Sequence, residues 1–181
     1  QNSNLSCIQV DDAAWSTVNW VSIDVHTSFS ENCHTDLTYL PDDNFEQALI
    51  DFGFDDTLDD YVTTSVISAL TNLNISNKNI NDLTGIEDFT NLEFLSAASN
   101  NLNNIVVLSL LKLRELNLSN NNLTSIDLAK QTELTSLFLD ANVLTTINLS
   151  NNAHLSQLII ENNQLTTLDI SQNTNLQTLN V

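Results

Sequence analysis

The sequence predicts an α/β solenoid, a right-handed coil with parallel strands on its concave face and a small helical cap at its N-terminal end. Three observations predict it. Leu92, Leu113, Leu134, Leu155 and Leu176 stand 21 residues apart. Within each interval the pattern L-x-x-L-x-L-x-x-N-x-L returns, as in Leu113, Leu116, Leu118, Asn121 and Leu123. Composition agrees, with 30 Leu and 28 Asn against two Gly and one Pro. Asn forms neither helix nor strand interiors well, so its abundance points to a fixed place in a repeated turn.

The pattern recurs as Leu134-Leu137-Leu139-Asn142-Leu144 and as Leu155-Leu158-Ile160-Asn163-Leu165. The coil from Leu92 carries Ala97 in a Leu place, followed by Asn100. The first coil, from Leu70, is longer at 22 residues and has Lys78 where Asn is expected. This is the unit of the leucine-rich repeat. Its x-L-x-L-x piece alternates with period two, which makes a short strand with the Leu side chains inward. The Asn follows where the chain turns, and its amide can bond backbone groups that the turn leaves unpaired. One coil buries too little apolar surface to order itself, so coils must stack. Residues 70–181 hold five full repeats and a partial sixth.

The far side of each coil repeats as well. Ile126 and Leu128, Ile147 and Leu149, and Leu168 and Ile170 alternate with polar residues, which predicts a second short strand there. The first two coils differ: Leu83, Ile86 and Phe89, then Ile105 and Leu108, have the spacing of a helical turn. Val106 and Val107 add apolar surface that is expected to pack on the cap, with exposure to a partner as the alternative.

Stacked coils expose an apolar edge that needs a cap. Residues 41–69 supply one. Asp43 reads as an N-cap with Glu46 at N3, a capping-box arrangement. Phe45, Ala48, Leu49 and Phe52 make one apolar helix face, and Gly53 ends it. A shorter helical piece is expected over 64–69. Upstream, residues 1–40 form a separate segment in which Leu5, Ile8 and Val10 reproduce the repeat core, as at the end of a preceding array. The only two cysteines, Cys7 and Cys33, enclose 25 residues. A disulfide closing that loop is expected, with two buried thiols as the alternative. His26 and His34 lie near Cys33, but no closed zinc motif results. Leu176, Leu179 and Val181 begin a coil that does not finish, which reads as a fragment of a longer chain.

Charge excludes whole classes of partner. With 23 acidic against 4 basic residues the net charge is −19, and residues 1–69 contain no Lys or Arg. Such a surface repels nucleic acid and anionic lipid. No apolar run approaches the length of a membrane-spanning helix, so membrane insertion is not expected. Gly53 and Gly85 are the only glycines, too few for a phosphate loop, and no nucleophile elbow is present. No enzyme is predicted. Asp55, Thr57 and Asp59 stand at positions one, three and five of a calcium-type loop. Position six is Asp60 rather than Gly and position twelve is Val66 rather than Glu, so the loop is incomplete. No metal or other cofactor is expected.

The run Pro41-Asp42-Asp43-Asn44-Phe45-Glu46-Gln47-Ala48-Leu49, with Leu83-Thr84-Gly85-Ile86-Glu87, resembles secreted leucine-rich repeat proteins of Bacteroidetes-type bacteria, internalin-like in style. Cys7-Ile8-Gln9-Val10-Asp11-Asp12 and Ser28-Phe29-Ser30 resemble the element that closes an array in such proteins. The resemblance implies export or display on a bacterial surface, and a non-catalytic role in adhesion or recognition.

Binding residues are read from columns on the strand face, where successive strands lie about 4.8 Å apart. One column reads Asn74, Ser96, Asn117, Phe138, Ile159 and Asn180. Its neighbours read Asn72, Phe94, Glu115, Ser136, Gln157, Thr178 and Ser76, Ala98, Ser119, Asp140, Glu161. Phe138 and Ile159 are expected adjacent and exposed, flanked by Asp140 and Glu161, a contact site for a basic or amphipathic protein partner. Phe94, Glu115, Asn117 and Gln157 complete the candidate surface. Two alternatives are a carbohydrate module stacking sugars on Phe94 and Phe138, and a structural spacer in a larger surface protein.

Overall fold

The computed structural model describes residues 7–10, 13–20, 28–30 and 36–181. The chain divides into two compact units, Gln1–Leu37 and Thr38–Val181.

In the first unit, β1 (Cys7–Gln9) and β2 (Ser28–Ser30) pair in parallel, with helix α1 (Ala13–Asn19) between them in sequence. Cys7 pairs with Ser28 and Ile8 with Phe29, an offset of 21 residues. This is the winding length of the repeats, so β2 repeats β1 one winding later, where one strand and a connection were expected. The Trp20 amide bonds the Ser16 carbonyl at 2.9 Å at the end of α1, and the Trp15 and Trp20 rings meet edge-on, 6.4 Å between centroids. Cys33, His26 and His34 lie outside the described residues, and with them the expected disulfide.

The second unit begins within β3 (Leu37–Tyr39), which shares a two-stranded sheet with β4 (Tyr61–Thr63). Between them lies α2 (Asp43–Asp51). Its N-cap is Asp42 rather than Asp43: Asp42 Oδ1 accepts from the amides of Asn44 and Phe45 at 3.0 and 3.1 Å. The other oxygen, Oδ2, accepts from the amides of Asn81 and Asp82 in the first coil, at 2.8 and 3.0 Å. One aspartate thus caps the helix and moors it to the solenoid. The shift moves Glu46 out of N3, and no capping box forms. Instead its fully buried carboxylate accepts from the amides of Asp59, Asp60 and Tyr61.

Helix α2 ends in a Schellman motif. Phe54 N–H reaches Leu49 C=O and Gly53 N–H reaches Ile50 C=O, both at 2.9 Å, with Gly53 left-handed at φ 77°. Phe45, Ala48 and Leu49 are buried, but Phe52 is the C-cap and turns outward beneath the Lys78 ammonium, 5.6 Å from its ring centroid. Lys78 also pairs with Asp51 at 2.9 Å, which holds the Asp51 carboxyl below its usual range. A short α3 (Thr64–Ile67) follows. The stacked rings of Phe45 and Phe89, 5.9 Å apart, join cap to coil.

Six parallel strands then form one sheet in sequence order: β5 (Asn72–Asn74), β6 (Phe94–Ser96), β7 (Glu115–Asn117), β8 (Ser136–Phe138), β9 (Gln157–Ile159) and β10 (Thr178–Asn180). Leu73, Leu95, Leu116, Leu137 and Leu158 stack in register at the centre of the strands, all buried. This is the predicted α/β solenoid with a small helical cap.

The repeat Asn residues form a continuous inner ladder. Asn121 Oδ1 accepts from Leu102 N–H at 3.0 Å, and its Nδ2 donates to the carbonyls of Ala97 and Leu118, both at 3.0 Å. Asn142 repeats this with Leu123, Leu118 and Leu139, and Asn163 with Leu144, Leu139 and Ile160. Asn100 serves the irregular first coil by accepting from both Lys78 and Ile80. The residue before each of these amides is left-handed: Ser99, Asn120, Ala141 and Asn162, at φ 56°, 58°, 52° and 56°. Ala141 is the one among them without a polar side chain, and Asn tolerates this region better than Ala. Ala141→Asn is expected to raise stability by about 1 kcal/mol, read as a shift in the urea midpoint.

The far side departs from expectation. Residues 125–128, 146–149 and 167–170 are not strands, although Leu128 and Leu149 are buried as predicted. Their coil-to-coil bonds are made by side chains. Buried Gln131 donates to the Val107 carbonyl, Asn152 to those of Leu128 and Gln131, and Asn173 to those of Leu149 and Asn152. Within the expected strands these side chains hold the carbonyls of Leu128 and Leu149. Ile86–Asp88 is a short 3₁₀ turn, as the spacing suggested, whereas the chain around Ile105 is not helical. Val107 packs into the core and Val106 is exposed.

Candidate interaction surface on the strand face

The strand registers place the three columns as the sequence spacing does. Phe94 pairs with Glu115, Glu115 with Ser136 and Ser136 with Gln157, while Asn117 pairs with Phe138 and Phe138 with Ile159. Alternation within each strand sends Leu116, Leu137 and Leu158 inward, so their neighbours face outward. The third column continues beyond the strand ends, where Asn120 N–H bonds Asp140 C=O and Ala141 N–H bonds Glu161 C=O.

Phe138 and Ile159 are therefore adjacent, and both are half-buried rather than fully exposed. Phe94 is more open, at 40% of its full area, and sits two coils away in the neighbouring column. The structure brings Phe138, Ile159, Asp140 and Glu161 together and leaves Phe94 outside that group. Asp140 accepts a short hydrogen bond from the Ser119 hydroxyl, which holds its carboxylate over the adjoining coil. Asn117 turns its Oδ1 back onto Ser119 N–H at 3.0 Å. Gln157 lies half-buried beside Ser136.

No Lys or Arg occupies any of the three outward columns, where Glu115 on β7 and, just past the ends of β8 and β9, Asp140 and Glu161 are the charged residues. The nearest cation in sequence is Arg114, whose Nε lies 3.6 Å from Glu93 Oε2.

The acidic turn after α2 is organised from within. Glu46 holds three of its amides, and Asp59 Oδ1 accepts from Tyr61 N–H at 3.1 Å. Burial pushes the Asp55 carboxyl above its ordinary range, against a hydrogen bond from the Asp56 backbone. Among the described residues no group of three or more His, Cys, Asp or Glu side chains is placed to hold a metal ion.

Two features escaped the sequence reading. The Ser119–Asp140 bond crosses between coils, and only the register brings its partners together. The second amide ladder does have a linear signal. Gln131, Asn152 and Asn173 each precede a repeat's opening Leu by three residues, where earlier coils carry Phe89 and Leu110.

No protein-family model and no curated protein sequence matches the chain. Solved structures do. The functional domain of InlJ from Listeria monocytogenes, which includes a cysteine ladder, is 34% identical with a TM-score of 0.73, over 79% of this chain and 32% of that one. A leucine-rich repeat protein of Leptospira interrogans is 29% identical with a TM-score of 0.61, over 63% of this chain and 31% of that one. Internalin C2 from Listeria monocytogenes shares the fold at 24% identity, TM-score 0.73, over 80% of this chain and 67% of that one. The chain spans about a third of the length of the first two.

Proposed function

We infer, from a leucine-rich repeat chain of internalin-like build, that it is a non-catalytic recognition module, working outside the cell or on a bacterial surface and binding a protein through its strand face. One observation carries the reading. Phe138 and Ile159 form an adjacent apolar pair on the sheet face, two coils from the lone exposed Phe94, with Asp140 and Glu161 beside them. Half-buried side chains in a rigid sheet lose little conformational freedom on binding, which is what a binding anchor needs. The strands are held from beneath by buried Leu and by the Asn ladder, so the face is organised before a partner arrives.

The extracellular setting rests on the internalin-like resemblance of the cap. The test is binding of the purified chain to arrays of purified extracellular proteins and of glycans. Protein ligands are expected, and Phe138→Ala with Ile159→Ala should weaken them at least tenfold, about 1.4 kcal/mol. Val106→Ala with Leu111→Ala, on exposed positions away from the strands, should leave affinity unchanged. Binding confined to glycans, or indifferent to Phe138 and Ile159, would refute the reading.

A further inference from the structure

We propose that the Phe138–Ile159 spot takes an extended cationic segment of a protein partner, one presenting a large apolar side chain and an Arg or Lys two residues apart. This rests on the strand-face reading and specifies its ligand. Spacing and charge on this face both match such a segment. Along each coil the outward residues are Ser136, Phe138 and Asp140, then Gln157, Ile159 and Glu161, so the apolar pair and the acidic pair form two parallel rows across the sheet. Residues i and i+2 of extended chain stand about 6.6–6.8 Å apart. A partner strand lying along a coil has that same repeat, and sets its apolar residue on one row while its cation falls on the other.

Charge complementarity selects the sign. The three outward columns, which run past the strand ends, carry three carboxylates and no cation, within a chain of net charge −19. The Ser119 hydroxyl holds the Asp140 carboxylate in place, so part of the ordering cost is met before binding. A guanidinium there meets two carboxylates in neighbouring coils, a geometry suited to its fork of donors. An acidic partner would meet the same row with repulsion.

The probes are two capped octapeptides of one composition, Thr-Leu-Thr-Arg-Thr-Leu-Thr-Arg and Thr-Thr-Leu-Arg-Thr-Thr-Leu-Arg, titrated into the ¹⁵N-labelled chain in about 0.15 M salt. The first puts Leu and Arg on one face and the second on opposite faces. The first should shift the amides of 136–140 and 157–161 saturably, and the second should bind at least fivefold more weakly. Asp140→Asn with Glu161→Gln should weaken the first peptide roughly five- to tenfold. Asp127→Asn with Asp169→Asn, an equal change of net charge on the far side of the coils, should cost less than twofold.

Equal binding of the two peptides, equal effects of the two charge pairs, or no saturable binding at millimolar peptide would overturn the proposal. If Phe138→Ala with Ile159→Ala still abolishes capture of an arrayed protein, the cationic specificity falls and the strand-face reading stands. If that double variant is silent too, both fall.

Discussion

Gly85→Ala is expected to cost the larger unit about 3–5 kcal/mol of stability. Gly85 stands at φ 96°, a conformation that side chains rarely adopt. A Cβ built there would lie 2.5 Å from Leu40 Cδ2, 2.7 Å from the Tyr39 carbonyl oxygen and 3.0 Å from Thr38 Cγ2. The Leu40 methyl can turn away. The Tyr39 carbonyl belongs to a strand paired with β4 and cannot. Gly53→Ala is the internal comparison: its φ is also positive, at 77°, but nothing lies within 4 Å of the added atom. It should lose only about 1–2 kcal/mol. Urea unfolding of the two variants measures the difference, and equal losses would mean that the contact of cap with first coil is not rigid.

Asn121→Ala should be nearly as damaging, at about 2–4 kcal/mol. It strands the Leu102 N–H in the core, and it takes one of two donors from each of two carbonyls. Ala97 C=O is shared by Asn100 and Asn121, and Leu118 C=O by Asn121 and Asn142. Asn121→Asp should be worse, since it turns a carboxylate oxygen toward those carbonyls without a donor. Asn163 is only half-buried and ends the ladder, so Asn163→Ala should cost about half as much. In a stacked array the damage is local, and amide exchange should quicken first in the coils flanking Asn121. A loss below about 1 kcal/mol for Asn121→Ala would show that the ladder decorates the core without holding it.

Both predictions come from positions that differ in how readable they were. The ladder is legible because its cause is local and repeated. Each Asn occupies the same place in a 21-residue winding, and the turn that needs it is built from residues next to it in sequence. The three surface columns were legible for the same reason, since a fixed winding length determines which residues lie side by side. The degree of burial was not. Whether Phe138 stands clear of the sheet or leans into it depends on its neighbours in the adjoining coils.

The cap shows where local signals are degenerate. Asp42 and Asp43 are equally good caps by residue type, and a Glu three residues after Asp43 favours the wrong one. The choice is made 39 residues away, where the amides of Asn81 and Asp82 need an acceptor and Asp42 Oδ2 supplies it. Glu46 is released from capping by the same event, and the acidic turn closes around it.

The sequence alone determined the winding: the period, the short parallel strands, the inward Leu and the inner Asn ladder, because each arises from residues within one or two turns of chain. It also established the acidic, cation-poor strand face. Only the tertiary structure decided how windings are joined at their backs, which aspartate caps α2, and that β2 repeats β1 one winding later. Those outcomes turn on which backbone groups lack partners once the coils are stacked, a condition that exists only in the folded chain.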